Sequence, residues 1–459
     1  MTEWNVRRVV LDCLMAVTED GIFSHETLNR ARDKYAWFSS EDRAFLNKTV
    51  HGTLEYLVQI DAILDQYSSL PVRKMKPVVR NILRMAVYQL LYMDRIPPHA
   101  VTNEAVRLTE RRGYRGLKGF VNALTRTIAA ERVEILDSLR QSDALWKRYS
   151  IPIWLAKKLE GQYGRERAEE IFSAFLKEKT VSLVPCAPDS EIRDQSRSLL
   201  LAGGWRSNEL CPVLYTADGQ TEEGRTLLRE GLAFAQDLSS GLAVQAAAPE
   251  AGESVLDLCA APGGKSLAAA LYMEGRGQIH SFDLLEQKVE VIRDNAVRCG
   301  WNRIISPSQQ DASVYRRELA ETADLVIADL PCSGLGVIGR KPDIKQNVSE
   351  EGIFALSELQ KTMLRNAASY VKPGGRLLFS TCTMVREENE ENLDWLLREC
   401  PALRPMDLRR RLPKLYERMK TIRTEAAQAM AEGRLQLLPQ DLGSDGFFFS
   451  ILKKEGREA

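Results

Sequence analysis

Two cysteines stand in short motifs whose residue types could do covalent chemistry. Cys332 lies in Asp329-Leu330-Pro331-Cys332-Ser333-Gly334, and Cys382 lies in Ser380-Thr381-Cys382-Thr383. Each motif directly follows a short apolar run that is typical of a buried strand. A thiolate is a nucleophile, and the chemically active residues of parallel sheets lie beyond the carboxyl ends of the strands. The two motifs therefore predict a pair of cysteines, together with Asp329, at one catalytic rim.

The other cysteines have a plainer interpretation. The chain has 8 cysteines, scattered without a CxxC pair, which argues against a zinc knot and against a disulfide framework. We expect no metal site. A lone cysteine is most often a small buried core residue, and Cys259 belongs to a turn considered next. The core interpretation applies to Cys13, Cys186, Cys211, Cys299 and Cys400.

A glycine-rich turn precedes both motifs and favours a nucleoside-type cofactor. The apolar run Ser254–Leu258 leads into Cys259-Ala260-Ala261-Pro262-Gly263-Gly264-Lys265. Small residues let the backbone approach a ligand, and a helix starting near Gly264 would direct its N–H groups at that ligand. The spacing matches neither GxGxxG nor the GxxxxGK[ST] of a P-loop.

Acidic residues follow the next predicted strands at the same edge of the sheet. Asp283 is placed to accept hydrogen bonds from ribose hydroxyls, and Asp311 to bind an adenine amino group. A single surface aspartate after a strand is usually a turn or helix cap. Together with Asp329, however, these residues end three successive strands, which favours a cofactor site.

Alternating strands and helices must position these residues from about residue 236 onward. Strands separated by helical patterns indicate βαβ units and a doubly wound, mostly parallel, Rossmann-like α/β sheet. The segment between Lys420 and Arg434 is predicted to be a helical insertion. The predicted strands are Ser254–Leu258, Gln278–Phe282, Ile304–Ser308, Leu325–Ala328, Arg376–Ser380 and Phe447–Leu452.

The preceding residues divide into two further regions. Apolar spacing of three and four predicts that the first ~135 residues are all helical, with one helix starting near Pro77 and another near Pro98. A helical stretch over Pro152–Leu176 and a strand over Val181–Val184 then predict a small α/β module. The predicted domains are residues 1–140 (helical), 141–235 (small α/β module) and 236–459 (catalytic α/β domain).

Composition excludes some classes of protein and leaves the partner open. A hydrophobic fraction of 44%, without an apolar run of ~20 residues, predicts a globular cytoplasmic protein rather than a membrane protein. The segment Met1–Arg8 does not begin an export signal. The net charge is 0, but basic residues cluster twice, either as solvated helix faces or as phosphate-binding surfaces. The clusters are Arg73, Lys74, Lys76, Arg80 and Arg84, and Arg107, Arg111, Arg112, Arg115 and Lys118.

Taken together, the motifs resemble those of RNA cytosine-C5 methyltransferases, above all the bacterial 16S rRNA enzymes of the Fmu/Sun type. The resemblance covers nearly the whole chain, and the N-terminal part resembles a helical RNA-binding domain with the NusB fold. Departures are Leu330, Arg386 and the middle segment Ser182–Pro185. The matching segments are Gln236-Asp237, Cys259–Lys265, Asp329–Val337, Pro342–Lys345, Ser380–Cys382, Glu388–Glu390, Asp445–Phe448, and in the N-terminal part Arg80–Arg84, Asp94–Pro97 and Gly119–Ala123.

The resemblance implies a mechanism and a cofactor. Cys382 would add to C6 of a cytosine, and Asp329 would bind the N3/N4 edge of that base. Lys265 would hold the nucleophile and the carboxylate, and Cys332 would assist loss of the C5 proton and release of the product. The cofactor implied is S-adenosyl-L-methionine, bound by the turn from Cys259 to Lys265 with Asp283, Asp311 and Asp329.

The resemblance also implies 16S rRNA as substrate, with cytosine 967 as the target. It assigns the basic clusters to phosphate contacts and implies a monomer without a DNA or membrane partner. Two alternatives stay open: a tRNA cytosine-C5 methyltransferase that uses the same residues, and an RNA-binding assembly protein that is not catalytic. A DNA amino-methyltransferase is disfavoured, because Pro331-Cys332 stands where that class has an Asn/Asp-Pro-Pro-Tyr sequence.

Overall fold

A computed structural model of the chain describes residues 5–456. The chain separates into two compact units. The first comprises the chain up to Lys177 together with Ile338–Asn347, and the second comprises Glu178–Val337 and the chain from Val348 onward. The division after Lys177 falls inside the predicted middle domain, 141–235. It does not test the boundaries predicted for the three domains, which stay a prediction. The start of the segment Met1–Arg8 and the last three residues of the third predicted domain lie outside the described residues.

The first unit is helical, as predicted. Its core includes the inward face of α5, which begins at Pro77 because proline is well accommodated in a first helical turn. The helical stretch predicted over Pro152–Leu176 is confirmed, and Gly164, at a φ of +80°, divides it into two helices. The helices are α1 (Val6–Thr18), α2 (Ser24–Lys34), α3 (Ser40–Glu55), α4 (Leu57–Tyr67), α5 (Pro77–Tyr92), α6 (Pro98–Arg111), α7 (Lys118–Ala130), α8 (Arg132–Arg140), α9 (Leu145–Arg148), α10 (Ile153–Tyr163) and α11 (Arg165–Phe175).

A small antiparallel sheet opens the second unit, in the order β2-β3-β1-β4. The strand predicted at Val181–Val184 is its inner strand β1. Leu183 and Trp205 pack in a core beneath this sheet. The elements are β1 (Val181–Pro185), α12 (Ser190–Ala202), β2 (Arg206–Ser207), β3 (Tyr215–Ala217), α13 (Glu222–Arg229) and β4 (Ala233–Ala235).

The large sheet follows, and it includes all six strands predicted from the sequence. Its helices and strands alternate as βαβ units, except that α17 belongs to the first unit. The elements are α14 (Leu238–Ala247), β5 (Ser254–Asp257), α15 (Gly264–Tyr272), β6 (Gln278–Asp283), α16 (Glu286–Arg298), β7 (Ile305–Gln309), β8 (Ala323–Asp329), α17 (Ile344–Asn347), α18 (Glu350–Tyr370), β9 (Val371–Thr381), α19 (Glu390–Glu399), β10 (Leu403–Pro405), α20 (Leu408–Arg411), α21 (Pro413–Ile422), α22 (Thr424–Ala431), β11 (Arg434–Leu437), α23 (Pro439–Leu442) and β12 (Phe447–Lys454).

The strand order of the large sheet is β10-β12-β9-β8-β5-β6-β7, with β11 paired to β12. Strands β5 to β9 pair in parallel, and β12 pairs antiparallel to β9. The predicted Rossmann-like fold class is therefore confirmed. The short strands β10 and β11 were not predicted, although the segment from Lys420 to Arg434 is largely helical as expected. Nowhere between residues 5 and 456 does a helix combine the length and apolarity needed to cross a bilayer.

The segment Ile338–Asn347 is fixed within the first unit by buried polar contacts. The carboxylate of Asp343 accepts hydrogen bonds from Ser24 N at 3.0 Å and Ser24 Oγ at 2.7 Å. Lys345 Nζ donates to the backbone oxygens of Glu55 at 2.6 Å and Ser150 at 2.9 Å. Burial lowers the pKa of Lys345 to about 8.

Candidate active site

The two motif cysteines meet at one edge of the large sheet. Strands β8 and β9 pair in parallel with Asp329 opposite Ser380, so the loops that follow them leave the sheet side by side. The Sγ atoms of Cys332 and Cys382 lie 3.4 Å apart. The structure thus brings together the two cysteines that the sequence placed at a common rim.

The two thiols have different surroundings. A hydrogen bond to Cys382, together with burial, raises the pKa of Cys332 well above its usual value. Either sulfur can be the donor in the 3.4 Å contact. Two thiols at this distance can pass a proton between them, which suits a pair in which one acts as nucleophile and the other as acid, since the thiolate is the reactive form of cysteine.

Close backbone contacts hold the Cys332 loop against the Cys382 loop. Gly336 N donates to Cys382 O at 3.0 Å, and Gly446 N donates to Gly336 O at 2.9 Å. A Cβ atom at Gly336 would stand 1.8 Å from Gly446 O. Only glycine fits this position, which explains the small residue four places after Cys332.

An ion pair between a buried lysine and a half-buried aspartate lies beside the cysteines. Lys265 Nζ donates to Asp329 Oδ2 at 2.6 Å, and Ser380 Oγ donates to Asp329 Oδ1 at 2.7 Å. The ammonium also lies 5.1 Å from the centre of the Phe447 ring. Both carboxylate oxygens are thus held in a fixed orientation. Sequence reasoning assigned no role to Ser380, although it stands in the Cys382 motif.

The predicted cofactor turn joins β5 to α15 and lines a cleft. Gly263 has a φ of +103°, which L side chains rarely adopt, and α15 begins at the next residue. The cleft is lined by residues of this turn, by Gln236 and Asp237, and by Lys265 and Asp329. Free N–H groups at a helix N-terminus beside carboxylates can hold a ligand that carries both negative and positive groups.

The three predicted cofactor carboxylates are not equivalent. Asp329 lines the cleft, whereas Asp283 supports the turn by accepting from Ala261 N at 3.3 Å. Asp311 accepts from Ser313 N at 2.8 Å and Ser313 Oγ at 2.6 Å, which is a local turn cap. Neither Asp283 nor Asp311 is among the cleft-lining residues in the described part of the chain.

A fourth carboxylate, which the sequence analysis missed, lies at the end of β5. Asp257 lines the cleft and is fully buried, and burial raises its pKa to about 7. Its Oδ2 accepts from Ser266 Oγ at 2.7 Å, while Oδ1 has no hydrogen-bond partner among residues 5–456. An orphaned acceptor here fits a ligand with a hydrogen-bond donor. Asp257 was hidden in the sequence because it stands inside an otherwise apolar strand.

The basic clusters of the first unit are only partly available to a ligand. Arg80 forms a double hydrogen bond with Glu19 at 2.7 Å, and Arg84 pairs with Asp61 at 2.6 Å. These two arginines are thus engaged within the protein, and their predicted contact with phosphate stays a prediction.

Several other basic side chains in the clusters also have acidic neighbours. Arg107 pairs with Glu104, Lys118 with Glu110, and Arg112 with Asp12. Four exposed residues have no ion pair within residues 5–456, and these form the free basic set. They are Arg73, Lys74, Lys76 and Arg111.

Comparison with known proteins agrees with this geometry. The family model described as 16S rRNA methyltransferase RsmB/F matches residues 244–453, and the NusB family model matches residues 4–130. The chain is 34% identical over 463 residues to "Probable ribosomal RNA small subunit methyltransferase B" of Bacillus subtilis (strain 168), covering 99% of this chain and 100% of that protein. The chain belongs to the RsmB/F methyltransferase family.

Further relatives and solved structures extend this result. "Ribosomal RNA small subunit methyltransferase B" of Escherichia coli O1:K1 / APEC is 31% identical over 389 residues, covering 84% of this chain and 88% of that protein. The crystal structure of PH0851 has a TM-score of 0.78 at 24% identity, covering 97% of this chain and 98% of that chain. NSun6 from Pyrococcus horikoshii with SFG has a TM-score of 0.54 at 18% identity, covering 66% of this chain and 98% of that chain. At these identities the two structures support the fold alone.

The chain is thus a methyltransferase, and its cofactor is S-adenosylmethionine. The residues present fit that cofactor. The orphaned oxygen of Asp257, the helix N-terminus at Gly264 and the carboxylate of Asp329 face one cleft. They offer acceptors for the amino group and the hydroxyls, and N–H donors for the carboxylate.

Proposed function

We propose that this protein methylates C5 of a cytosine in 16S rRNA through a covalent bond between Cys382 and C6 of the base. The observation that carries the proposal is the 3.4 Å contact between the Cys332 and Cys382 sulfurs. That contact lies beside the Asp329–Lys265 ion pair. A nucleophile, a second thiol and a base-binding carboxylate are the groups that such a reaction needs.

Cytosine C5 is a poor nucleophile, so a covalent route divides one difficult step into easier ones. The thiolate of Cys382 adds to C6, forming the S–C6 bond, and the displaced electron pair makes C5 nucleophilic. S-adenosylmethionine, when bound, supplies an electrophilic methyl group. Asp329 accepts a hydrogen bond from the N4 amino group and so holds the base in place for the attack. Lys265 and Ser380 hold this carboxylate at 2.6 and 2.7 Å.

Release then requires loss of the C5 proton and cleavage of the S–C6 bond. Cys332 donates its proton to the departing Cys382 sulfur, and the Cys332 thiolate so formed accepts the proton from C5. The C5=C6 double bond is restored, and the pair of thiols later loses one proton to solvent. The base must leave its stack to reach this rim, which costs a few kcal/mol.

The remaining features of the proposal concern the substrate and its setting. Cytosine 967 is the proposed target, by resemblance to the Fmu/Sun enzymes. The free basic set of the helical unit is proposed to bind phosphates without reading sequence. The protein is proposed to act as a cytoplasmic monomer without a DNA partner. Its three-domain division at about residues 140 and 235 is part of the same proposal.

The test uses the adduct that the mechanism predicts. The Cys332→Ala protein is mixed with unmethylated 16S rRNA and S-adenosylmethionine and run on a denaturing gel. We expect a retarded protein–RNA band, because release fails, and we expect it to vanish in the Cys332→Ala/Cys382→Ala protein. Methyl transfer by the Cys382→Ala protein at the wild-type rate would contradict the covalent route.

A matched cysteine serves as the control. Cys400 is partly buried in the same unit and lies at the end of α19. The Cys400→Ala protein should turn over like the wild type and give no retarded band. If the wild-type protein methylates tRNA but not 16S rRNA, the proposed substrate is wrong and the proposed chemistry stands.

A further inference from the structure

Glu388 is a buried carboxylate that the proposed mechanism does not use. It ends the short 3-10 turn Arg386–Glu388 after β9, and it is fully buried. It accepts hydrogen bonds from both the backbone N of Ser333, at 2.9 Å, and the Ser333 hydroxyl. Ser333 is the residue next to Cys332, so the Glu388 carboxylate is hydrogen-bonded directly to the loop that carries Cys332.

The same group of hydrogen bonds reaches the second cysteine. Ser333 Oγ lies 2.7 Å from Thr383 Oγ1, and Thr383 is the residue next to Cys382. Glu388, Ser333 and Thr383 therefore form one buried chain between the immediate neighbours of the two sulfurs. This chain of hydrogen bonds therefore links the two loops whose cysteine sulfurs lie 3.4 Å apart.

Gln360, on helix α18, is hydrogen-bonded to the residue that precedes Cys332. Gln360 Nε2 donates to Pro331 O at 2.8 Å and to Glu388 Oε1 at 3.2 Å. Asn392 Nδ2 in turn donates to Gln360 Oε1 at 2.7 Å. Both chain neighbours of Cys332, Pro331 and Ser333, are thus hydrogen-bonded to one side-chain network.

Burying the carboxylate of Glu388 at this position lowers the stability of the fold. Burial raises the pKa of Glu388, which means that its charged form is destabilised. No cation pairs with it among residues 5–456. Replacing buried polar groups by apolar ones of similar shape is often neutral or stabilising. Apart from Gln360, which itself holds Pro331, the Glu388 carboxylate is hydrogen-bonded to Ser333 on the Cys332 loop, so this destabilising group is best explained by what it does to that loop.

We propose that Glu388 is a positioning residue that holds Cys332 against Cys382, so that the release step depends on it. This inference rests on the proposed function for its chemistry. Glu388 acts through Ser333 and does not touch the reacting atoms. Its removal should therefore leave RNA binding and adduct formation largely intact and impair release.

The first experiment compares Glu388→Ala, Glu388→Gln and Glu391→Gln in the adduct assay. Glu391 is an exposed neighbour on α19 and serves as the control. We expect Glu388→Ala to accumulate the retarded band and to lose about 100-fold in kcat, with the Kd for RNA within about twofold of the wild type. Glu388→Gln keeps an acceptor for Ser333 N and a donor for Ser333 Oγ, and should restore kcat to within about tenfold.

The second experiment measures the sulfur contact without RNA. Diamide oxidises a close pair of thiols to a disulfide and takes up their two protons and two electrons. Formation of the Cys332–Cys382 disulfide, followed by peptide mapping, should be about tenfold slower in Glu388→Ala than in the wild type. If Glu388→Ala does not fold, Ser333→Ala removes the hydroxyl bridge alone and should show the same slowing.

The outcomes separate this inference from the proposed function. An adduct from Cys332→Ala but none from Glu388→Ala, with unchanged disulfide formation, overturns the role of Glu388. A slowed disulfide together with no adduct from Cys332→Ala overturns the proposed function and the release role, while the positioning of the two sulfurs stands. Equal loss of kcat and RNA affinity in Glu388→Ala and Glu388→Gln also overturns the inference, because it would indicate general damage.

Discussion

Charged side chains are held differently at the rim of the large sheet and in the helical unit. At the rim, buried Lys265 pairs with half-buried Asp329, and Asp257 is buried with one oxygen unpartnered among residues 5–456. In the helical unit, Arg84 pairs inward with Asp61, whereas Arg73 faces solvent. The rim therefore loses solvation at the place where we propose that a cofactor and a base bind. The helical surface keeps charges such as Arg73 solvated, and there we propose that they attract phosphate at long range.

The largest expected effect comes from breaking the pair at the rim. Lys265→Ala leaves the half-buried Asp329 without its cation and frees the carboxylate from its fixed orientation. We expect kcat/KM for methyl transfer to fall by about 10³-fold, the range seen when one charge-stabilising group is lost. Single-turnover transfer of labelled methyl to 16S rRNA measures this.

The opposite end of the same strand supplies the control. Asp324 and Lys372 form a pair at 2.9 Å at the start of β8, away from the cysteines. Lys372→Ala should leave kcat/KM within about twofold of the wild type, because a partly exposed pair contributes little. Equal losses in Lys265→Ala and Lys372→Ala would show that the rim pair has no special role.

A second prediction concerns Asp257 and pH. Its pKa rises from 3.8 to about 7 in the folded protein, so the unfolded chain loses this proton first as pH rises. Stability is therefore lost between about pH 4 and 7, and the cost is complete above pH 7. Asp257→Asn removes this titration and should be more stable than the wild type at pH 8, by on the order of 2 kcal/mol.

Urea denaturation of both proteins without cofactor, at pH 5 and pH 8, measures the difference. The stability gain of Asp257→Asn should be larger at pH 8 than at pH 5. Asp324→Asn is the control with the opposite sign, because its hydrogen bonds and Lys372 lower its pKa despite the desolvation that opposes them. A gain for Asp257→Asn that does not depend on pH would contradict the assignment.

The third prediction tests the inward-facing arginines. Arg84→Ala leaves Asp61 without its partner and should lower the free energy of unfolding by about 2 kcal/mol. Arg107→Ala, whose side chain is 65% exposed beside Glu104, should change stability by less than about 0.5 kcal/mol. Urea denaturation measures both. Similar small effects in the two variants would place Arg84 among the solvated surface charges.

These contrasts show which features a sequence can predict. The proximity of Cys332 and Cys382 was predictable, because the ends of parallel strands share an edge and each motif followed an apolar run. Predicting that the ends of two neighbouring strands lie close together requires no knowledge of side-chain packing. The glycine turn before α15 was predictable for the same reason, since a strand, small residues and a helix follow one another directly in the chain.

Features that depend on distant partners were not predictable. Arg80 and Arg84 look like part of a basic patch until Glu19, directly after α1, and Asp61, on α4, are placed beside them. Asp257 has the pattern of an ordinary strand residue, and its hydrogen bond to Ser266 on α15 cannot be seen in that pattern.

Other structural elements were missed for related reasons. The short strands β10 and β11 have too few residues to show a period, and Gly164 divides a helical stretch whose apolar pattern continues across it. The inclusion of Ile338–Asn347 in the helical unit depends on contacts to Ser24 and Ser150, which no local pattern indicates.

The smallest effect per residue is expected from the free basic set. Replacing Arg73, Lys74 and Lys76 together by alanine should leave stability and the maximal methylation rate unchanged, because these side chains are exposed and unpaired within the described residues. Each lost phosphate contact should reduce the slope of log K against log salt by about 0.7 for single-stranded RNA. Filter binding to 16S rRNA at several salt concentrations should therefore give a slope smaller by about 2 for the triple variant. Lys48→Ala, an isolated exposed lysine on α3, should leave the slope unchanged. A triple variant with the wild-type slope would mean that this surface is merely solvated, and the helical unit would then have to bind RNA through other residues or not at all.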